Sequence, residues 1–487
     1  MTLFKATMSQ KDELCALYRT VCEGMNDAGI TNWRWGEYPA EDMVEDDLRA
    51  GTLYCLKDES GVYAALTIDD TQPEEYADVN WLFGTHPGVF HRLAIHPDRQ
   101  GQGVGRLVLR ETEELLRAMG CDSLRCDTYI QNLRAQRLYS GNGMRSAGTI
   151  RLASRPLPFP CYEKPLTDDC PLLPLRMTPA FRGGSLTPWG GDRLRTLYSK
   201  PIAETPTGES LEVSCIPGLC SRDATGAELP QLVARWGKRF AGRYATRPFP
   251  LLLKLIDARE SLSVQVHPDD VYAAAAEHGK LGKTEAWLIL DAPEDGELVY
   301  GIRPGVSLEQ LRRACEAGDA VEPLLRRVKV RPGDVCFIPA GCVHAIGAGI
   351  MLYEIQQSSD VTYRFYDWNR VDAKGNRREL HLAKALDVTD LSFSLSPVPA
   401  PEDAYARVLD EKYFTLDLYR VSKAQALAPV RDFALLTVLE GDVALCWQGG
   451  EMRLAAGESV YIPTSAPALH LKGRGRAAVS MPSGADE

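Results

Sequence analysis

The apolar and polar positions follow different patterns in the early and later parts of the chain. The segment GRLVLRETEELLRAMG, residues 105–120, repeats its apolar positions with a helical period. It predicts an amphipathic helix with Val108, Leu115 and Met119 on the apolar stripe and Gly120 as its stop. Farther along, segments such as AWLILDAP and GESVYIPTSAP are short, rich in β-branched and aromatic residues, and bounded by Gly, Pro and Asp. These runs predict a mainly β region.

A proline-rich segment, residues 155–179, separates the two patterns and shows no helical period. A chain of 487 residues is too long for one ordinary core, so we predict a multidomain protein. The predicted parts are a first domain over 1–166, a short proline-rich linker over 167–172, a larger barrel domain over 173–390 and a second barrel domain over 391–487.

Two strand segments of the later region resemble each other. RPGDVCFIPAGCVHAI, from Arg331, and AAGESVYIPTSAPALH, from Ala455, share the order Gly, acidic residue, strand, Pro. This repeat predicts a duplicated jelly-roll barrel, whose second copy is degenerate because it lacks the histidine of the first. Between the barrel strands, Ser307 stands three residues before Gln310. That spacing is a capping box and predicts a helical insert over about 305–327.

Composition narrows the class of protein. Hydrophobic content is 45% and charged content 25%, and we find no apolar run long enough to span a bilayer. The net charge of −11 argues against a nucleic-acid binder held by phosphate contacts. The 13 cysteines include no C-x-x-C pair, which indicates reduced thiols rather than disulfides or a thiolate zinc site. With no secretory signal at the N-terminus, we expect a cytoplasmic protein without a membrane segment.

The segment RLAIHPDRQGQGVGRLVL contains the first of two His-Pro-Asp tripeptides, at His96. An apolar strand there runs into a glycine-rich loop that opens directly into a helix. Free backbone N–H groups at such a helix start favour a phosphate or pyrophosphate, although a bare loop of this kind is as readily a simple turn. The spacing differs from the dinucleotide-binding G-x-G-x-x-G because Arg106 stands at the third glycine. We expect His96 itself to lie in the turn.

The pattern Q-x-x-G-x-G after LAIHPD, with YIQNLRAQRLYSGNGM downstream, resembles the GNAT superfamily of N-acetyltransferases. The resemblance implies an α+β fold, a mixed twisted sheet with helices, that uses acetyl-CoA. It implies that the backbone of Leu93 and Ile95 polarises the thioester carbonyl and that Asn132 contacts the cofactor. Tyr139 would protonate the departing thiolate, and the amine acceptor is not implied. The pyrophosphate loop would comprise Gln100, Gly101, Gln102, Gly103, Val104 and Gly105.

The segment SLSVQVHPDD contains the second His-Pro-Asp. Strand alternation predicts that Gln265 and His267 share one face, opposite the neighbouring valines. A lone histidine there would more often be an ordinary hydrogen-bonded residue, but Glu285 and His344 lie at the ends of other predicted strands. Two imidazoles, a carboxylate and an amide oxygen are a plausible divalent-metal shell. Ligand type alone leaves zinc and non-haem iron both open.

Several long segments resemble the cupin-type mannose-6-phosphate isomerases in their compact bacterial form. They are FPLLLKLIDARESLSVQVHPDD, GKTEAWLIL, VRPGDVCFIPAGCVHAIGAGIMLYEIQQSSDVTYRFYDWNR and RRELHLAKALDV. The resemblance implies a double cupin, with residues 173–390 as its catalytic domain. It also implies that Zn²⁺ is bound by His267, Glu285, His344 and Gln265.

The same resemblance implies the reaction, which interconverts mannose 6-phosphate and fructose 6-phosphate by moving a proton between C1 and C2 through an enediol. Arg364 matches the active-site arginine of the family. Lys283 is either a proton-transfer or phosphate-contacting group or, equally, a charge at the rim of the site.

We therefore expect a fusion of an acetyltransferase with a zinc-dependent sugar-phosphate isomerase. Its partners would be hexose 6-phosphates, acetyl-CoA and an unknown amine, and the oligomeric state is not implied. One alternative keeps the isomerase and makes the first domain a non-catalytic acyl-CoA sensor. Another makes the barrel a sugar-phosphate-binding module or an Fe(II) oxygenase.

Overall fold

The computed structural model describes residues 2–152, 155–371 and 375–484. Their contacts divide the chain into two compact units. The first unit comprises Met1–Leu175, Leu445–Arg453 and Ser465–His470, and the second comprises Arg176–Ala444, Leu454–Thr464 and Leu471–Glu487. The first unit thus includes two short segments from the end of the chain, which the sequence pattern did not indicate.

The first unit contains a mixed sheet with helices, as expected. Its helices are α1 (Lys11–Asp27), α2 (Glu41–Ala50), α3 (Val104–Ala118) and α4 (Leu133–Gly141). Its strands are β1 (Phe4–Lys5), β2 (Leu53–Asp58), β3 (Gly61–Asp69), β4 (Pro87–Ile95), β5 (Ser123–Asp127), β6 (Arg145–Ile150) and β7 (Phe159–Pro165). The sheet order is β1-β2-β3-β4-β5-β7-β6, in which β4 and β5 run parallel and the other pairs are antiparallel.

Helix α3 packs against this sheet through Val108 and Leu116, which are both fully buried. Met119 is 53% exposed because the helix ends at Ala118, so its predicted place on the apolar stripe is wrong. Gly120 follows with φ of +84°, a left-handed conformation that glycine adopts without strain, and its predicted role as the stop is confirmed.

The remaining elements are mainly strands. The helices are α5 (Arg193–Thr196), α6 (Leu229–Trp236), α7 (Lys238–Ala241), α8 (Asp270–Ala276), α9 (Leu308–Glu316) and α10 (Leu382–Val388). The strands are β8 (Leu175–Met177), β9 (Ala180–Gly183), β10 (Thr207–Val213), β11 (Leu251–Ala258), β12 (Val264–Val266), β13 (Glu285–Asp291), β14 (Glu297–Ile302), β15 (Leu325–Lys329), β16 (Asp334–Ile338), β17 (His344–Ala345), β18 (Ile350–Gln357), β19 (Tyr363–Tyr366), β20 (Val398–Pro399), β21 (Tyr405–Asp410), β22 (Phe414–Val421), β23 (Gln425–Ala426), β24 (Ala434–Trp447), β25 (Gly450–Ala455), β26 (Ser459–Ile462) and β27 (His470–Pro482).

Short 3₁₀ helices connect several of these elements. They are Met8–Gln10, Glu74–Asp78, Pro97–Arg99, Gly184–Leu186, Gly242–Ala245 and Asp319–Leu324.

Three further sheets have cupin-type antiparallel pairing. Their orders are β20-β16-β13-β18-β11-β10-β9, then β15-β14-β17-β12-β19, then β21-β22-β27-β24-β26-β8 with β23 on β27 and β25 on β24. Ile256, Trp287 and Tyr300, from strands of the first two sheets, share one buried apolar cluster. These two sheets therefore pack face to face around one core, as in a jelly-roll barrel.

The predicted helical insert is present as α9, followed by the 3₁₀ helix Asp319–Leu324. Ser307 Oγ accepts a hydrogen bond from the Gln310 amide at 3.2 Å, and Gln310 Oε1 accepts one from the Ser307 amide at 2.8 Å. The capping box is therefore confirmed. Leu311 and Cys315 of α9 are buried in the second apolar cluster of the barrel.

The cysteines are free thiols throughout the described ranges, as expected. None of the helices described there combines the length and apolar character needed to cross a bilayer.

Candidate functional site

Strands of the first barrel bring the predicted metal ligands together. Gln265, on β12, pairs in register with His344 on β17 and with Arg364 on β19. His267 follows β12 directly, and Glu285 begins β13. Val264 and Val266 are fully buried on the other side of β12, as the alternation predicted.

Three of these side chains converge inside the first barrel. One ligand atom from each of His267, Glu285 and His344 lies within 4.8 Å of the others. Nε2 of His267 is 3.6 Å from Glu285 Oε2, and Nε2 of His344 is 3.2 Å from Glu285 Oε1. At most 1% of each residue is exposed. A shell of two imidazoles and one carboxylate matches common divalent-metal sites.

Both imidazoles are held neutral, as metal ligands must be. Burial lowers the pKa of His344 to about 3, and burial together with the nearby Lys283 ammonium lowers the pKa of His267 well below its usual value. Nδ1 of His344 is 2.9 Å from the Cys342 carbonyl oxygen, to which it donates a hydrogen bond. This bond leaves Nε2 of His344 unprotonated, with a lone pair that can bind a cation.

The carboxylate of Glu285 offers one oxygen to a cation. Its Oε2 accepts a hydrogen bond from Lys283 Nζ at 2.6 Å. Its Oε1 is buried and accepts no hydrogen bond from the described residues. A buried carboxylate oxygen without a donor is costly, so this atom and the two Nε2 atoms together fit a divalent metal ion.

Gln265 lies beside this cluster with its amide nitrogen 3.3 Å from His344 Nε2. Because Nδ1 of His344 carries the ring proton, the Gln265 amide donates to Nε2. Coordination through the Gln265 oxygen would require the amide to turn over, which is a small side-chain rotation. Its role as the fourth ligand stays a prediction.

Lys283 is only 5% exposed and therefore lies inside the site rather than at its rim. Its Nζ is 2.9 Å from His267 Nε2 and 3.5 Å from Glu354 Oε1. Burial opposes the ammonium form, but the charges of Glu285 and Glu354 outweigh it and raise the pKa of Lys283.

A cavity of about 290 Å³ opens above the ligand cluster. Its walls include charged residues that the sequence analysis missed, namely Arg182, Glu209, Lys254, Glu354 and Arg378. Lys254 and Glu354 are direct cross-strand partners on β11 and β18, and both are buried. Each is a charged residue between large apolar neighbours, in LLLKLIDA or IMLYEIQQ, and that placement was the available signal.

Arg364 also lines the cavity, as part of a local excess of positive charge. Its Nε donates to Ser263 Oγ at 3.2 Å, and its Nη1 donates to the Glu379 carbonyl oxygen at 2.7 Å. Burial and the nearby guanidinium of Arg378 lower the pKa of Arg364. A guanidinium held by neutral partners keeps its charge available for an anionic ligand.

In the first unit, the predicted cofactor residues lie around a gap between β4 and β5. The two strands pair only from Pro87 to Val89, and Arg92 has φ of +50° at a bulge in β4. Leu93 and Ile95 follow the bulge, beyond the last contact with β5. Backbone groups along this edge are thus free of a β5 partner.

The loop after β4 has the geometry of an anion-binding turn. Gly101 and Gly103 have φ of +77° and +83°, and α3 begins at Val104. Gly105 lies so close to α4 that an added Cβ would be 2.9 Å from Leu138 Cδ2.

Side chains of the predicted cofactor residues also stabilise this region. Gln100 Nε2 donates to the Ile95 carbonyl oxygen at 2.9 Å, and Gln102 Nε2 donates to the Asp98 carbonyl oxygen at 2.7 Å. Asn132 caps α4 by accepting a hydrogen bond from the Ala135 amide at 3.1 Å. Contact of these residues with a cofactor stays a prediction.

Tyr139 of α4 is 4% exposed and packs edge to face against Phe90 and Tyr162. Burial raises the pKa of Tyr139 well above its usual value, so its hydroxyl stays protonated. That state is the one that a proton donor requires, and its role as the donor to a thiolate stays a prediction.

Comparison with known families assigns three parts of the chain. Residues 27–144 match the acetyltransferase (GNAT) family, and residues 189–304 match the phosphomannose isomerase type I catalytic domain. Residues 406–482 match the mannose-6-phosphate isomerase cupin domain.

Individual relatives agree with these matches. Over 222 residues the chain is 43% identical to the mannose-6-phosphate isomerase ManA of Bacillus subtilis, covering 44% of this chain and 66% of that protein. Over 285 residues it is 36% identical to the mannose-6-phosphate isomerase of Streptococcus mutans, covering 57% of this chain and 89% of that protein. The crystal structure of the mannose 6-phosphate isomerase from Bacillus subtilis aligns with a TM-score of 0.58 and 33% identity, over 63% of this chain and 99% of that chain.

Proposed function

Because the chain belongs to the mannose-6-phosphate isomerase family, we propose that its barrel region interconverts mannose 6-phosphate and fructose 6-phosphate at a zinc ion. In this proposal His267, Glu285 and His344 hold the ion, with Gln265 as the fourth ligand. We also propose the domain bounds expected from the sequence, which are an acetyltransferase over 1–166 and cupins over 173–390 and 391–487.

The convergence of three buried ligand atoms within 4.8 Å is the observation that carries the proposal. These residues lie 18 and 59 positions apart along the chain, counted from 267 to 285 and from 285 to 344, yet they meet at one point. A buried carboxylate with a free oxygen and two neutral imidazoles is a costly arrangement for packing alone. A bound Zn²⁺ would act as a Lewis acid on the sugar oxygens.

The other cavity residues suit a phosphorylated sugar. The guanidinium of Arg364 lines the cavity without a carboxylate partner among the described residues, and a phosphate could accept charge-assisted hydrogen bonds from it. The neighbouring Arg378 is paired with Asp367 at 2.6 Å. Two lysines and two glutamates form ion pairs with one another in the cavity, namely Lys283, Lys254, Glu285 and Glu354. Their ammonium groups can donate hydrogen bonds to sugar hydroxyls, and their carboxylates can accept them. The cavity walls also shield the enediol from part of the surrounding water.

The test is a coupled assay for fructose 6-phosphate formed from mannose 6-phosphate, combined with metal analysis of the same samples. His344→Gln should lose bound zinc and activity together, whereas His278→Gln, a change at an exposed histidine of the same unit, should change neither. Iron in place of zinc would favour an oxygenase instead. Metal and sugar-phosphate binding without turnover would favour a binding module.

We further propose that the first unit transfers the acetyl group of acetyl-CoA to an amine. Support comes from the gap between β4 and β5, the left-handed glycines at the start of α3, and the match to the GNAT family over residues 27–144. Titration with acetyl-CoA tests the binding step. An acyl-CoA sensor would bind acetyl-CoA but release no thiol in the presence of any amine.

A further inference from the structure

A second feature of the gap between β4 and β5 is the side chain of Asp127, on the β5 side of the gap. Beyond Arg125 the strand β5 continues through Cys126 and Asp127, which pair with β7 but no longer with β4. Cys126 belongs to the apolar cluster shared with α3, and Asp127 alternates to the opposite face of the sheet. Asp127 thus lies at the wide end of the gap, on the face that is not covered by α3.

The bulge in β4 directs residues to that same face from the other side of the gap. Phe90 belongs to the α3 cluster, and Ala94 belongs to the cluster of α1 and α2. Arg92 forms an ion pair with Asp47 of α2, and His91 approaches the Thr71 carbonyl oxygen at 3.1 Å. The face opposite α3 therefore presents His91 and Asp127 on the two edges of the gap.

Asp127 is a half-buried carboxylate with few partners. The Tyr76 hydroxyl donates to its Oδ1 at 2.8 Å. Among the described residues no lysine or arginine forms an ion pair with it. Glu163 in the same sheet shows the contrast, because it is fully buried and pairs with Arg145 at 2.7 Å. A carboxylate supported by one neutral donor can still accept a proton or bind a cation.

The surroundings of Asp127 favour a positively charged ligand. His91 is 3.4 Å from Asp69, and burial together with the nearby charge of Glu75 raises the pKa of Asp127. Burial raises the pKa of Tyr38, and the charge of Asp127 adds to this effect. The Tyr38 ring packs edge to face against Trp33. Acidic and aromatic groups together suit an alkylammonium group.

We propose that Asp127 is the general base of the acetyl transfer and that the acceptor carries a protonated primary amine. This inference rests on the acetyltransferase function proposed above and defines its acceptor. Asp127 binds the ammonium group and removes one proton from it. Tyr76 acts as a positioning residue that orients the carboxylate.

The step balances with the groups present. The ammonium gives one proton to Asp127, and the nitrogen lone pair then forms a C–N bond with the acetyl carbon. The C–S bond breaks and its electron pair leaves with the sulfur. Tyr139, on the α3 side of the gap, gives its hydroxyl proton to the thiolate, and the second proton of the nitrogen passes through solvent to restore the Tyr139 hydroxyl. The products are the amide, the free thiol and one proton, which passes from Asp127 to solvent.

The experiment measures thiol release from acetyl-CoA by the full chain with propane-1,3-diamine, glucosamine and p-toluidine. The first two are cationic alkylamines near neutral pH, and the third is a neutral arylamine. We expect turnover with at least one alkylamine and none above background with p-toluidine. Asp127→Asn should lower kcat/KM for the alkylamine by about 100-fold or more, because a general base contributes that much. Asp70→Asn, at an exposed neighbouring carboxylate, should leave the rate unchanged.

Two measurements separate the outcomes. Acetyl-CoA affinity, measured by calorimetry, should be the same in Asp127→Asn and the original protein, and its absence in both would remove the acetyltransferase function and this inference with it. With affinity intact, an unchanged rate in Asp127→Asn would overturn the role of Asp127. Turnover of p-toluidine alone, or of none of the three, would overturn the acceptor class.

The variant Tyr76→Phe tests the same carboxylate without altering it. The Tyr76 hydrogen bond lowers the pKa of Asp127, so its loss should move the acid limb of the kcat/KM profile to higher pH. The other titratable groups near Asp127 are His91, Glu75, Tyr38, Tyr139, Cys126 and Cys161, and they are unchanged in this variant. A merely structural Tyr76 would lower the rate without moving the profile.

Discussion

The two His-Pro-Asp segments share a sequence but differ in the burial and the contacts of their histidines. His267 is 1% exposed, and its ring faces Glu285 and His344. The side chain of His96 is 35% exposed, and its Nδ1 accepts a hydrogen bond from the Asp98 amide at 3.3 Å. One histidine is a candidate metal ligand, and the other holds a turn together. The tripeptide therefore marks the end of a strand in both copies and does not by itself indicate a metal site.

Even the turn is stabilised differently in the two copies. Asp269 caps α8 by accepting a hydrogen bond from the Tyr272 amide at 2.8 Å. In the first copy the corresponding Asp98 is exposed and caps nothing in the described structure, and His96 serves as the cap instead. The residues around the tripeptide thus determine which of its side chains caps the helix or turn that follows.

The largest expected effect comes from exchanging each histidine for alanine in the isomerase assay. His267→Ala should lower turnover of mannose 6-phosphate by more than about 100-fold, since even indirect changes around a metal cost 10–100-fold in affinity or activity. His96→Ala should leave the same rate unchanged. Metal content per chain should fall only in His267→Ala. Equal rates in the two variants would end the distinction between the segments.

A smaller effect on zinc binding is expected at the position two residues before each histidine, which is Gln265 in one segment and Ala94 in the other. Gln265→Ala should weaken zinc affinity by about 10–100-fold while leaving some activity at saturating zinc. Competition with a chromophoric chelator measures this affinity. Gln265→Glu is the matched variant, because a carboxylate oxygen retains a ligand at the same position. If Gln265→Ala binds zinc normally, its amide only supports His344 Nε2, at 3.3 Å.

After the first His-Pro-Asp segment, acetyl-CoA affinity should depend on the backbone conformation of the glycine loop. Gly103→Val places a β-branched residue at φ of +83°, which costs more than the roughly 1–2 kcal/mol of an ordinary left-handed residue. We expect the affinity for acetyl-CoA to fall about tenfold, the equivalent of about 1.4 kcal/mol. Isomerase activity should not change. Gly218→Val, at φ of +77° in the second unit, is a control that should leave acetyl-CoA affinity unaltered.

The sequence predicted the ligand side chains of the barrel better than it predicted their surroundings. Period-two alternation correctly placed Gln265 and His267 opposite the valines, because that rule depends only on local backbone geometry. Lys254 and Glu354 escaped notice because their importance depends on the pairing of β11 with β18. Register between distant strands is a property of the folded barrel and has no local signature.

Helix patterns show the same limit. The capping box of Ser307 and Gln310 was predictable because both partners lie within one turn. The apolar stripe of α3 was misjudged at Met119, where the periodic pattern continues one residue beyond the end of the helix. Asp127 carried no motif at all, since its position at the gap depends on where β4 and β5 separate.

The smallest expected effect concerns the turn at His96. His96→Ala removes a long, largely exposed hydrogen bond to the Asp98 amide, and caps of this kind contribute about 0.5–2 kcal/mol, with exposed ones at the low end. Hydrogen exchange in a peptide covering the end of β4 and the loop should therefore be faster by a few-fold at most. His96→Asn should restore protection, because asparagine is a strong capping residue. A large loss of protection would mean that His96 supports the acetyl-CoA loop as well as its own turn, and the two segments would then both depend on their histidines.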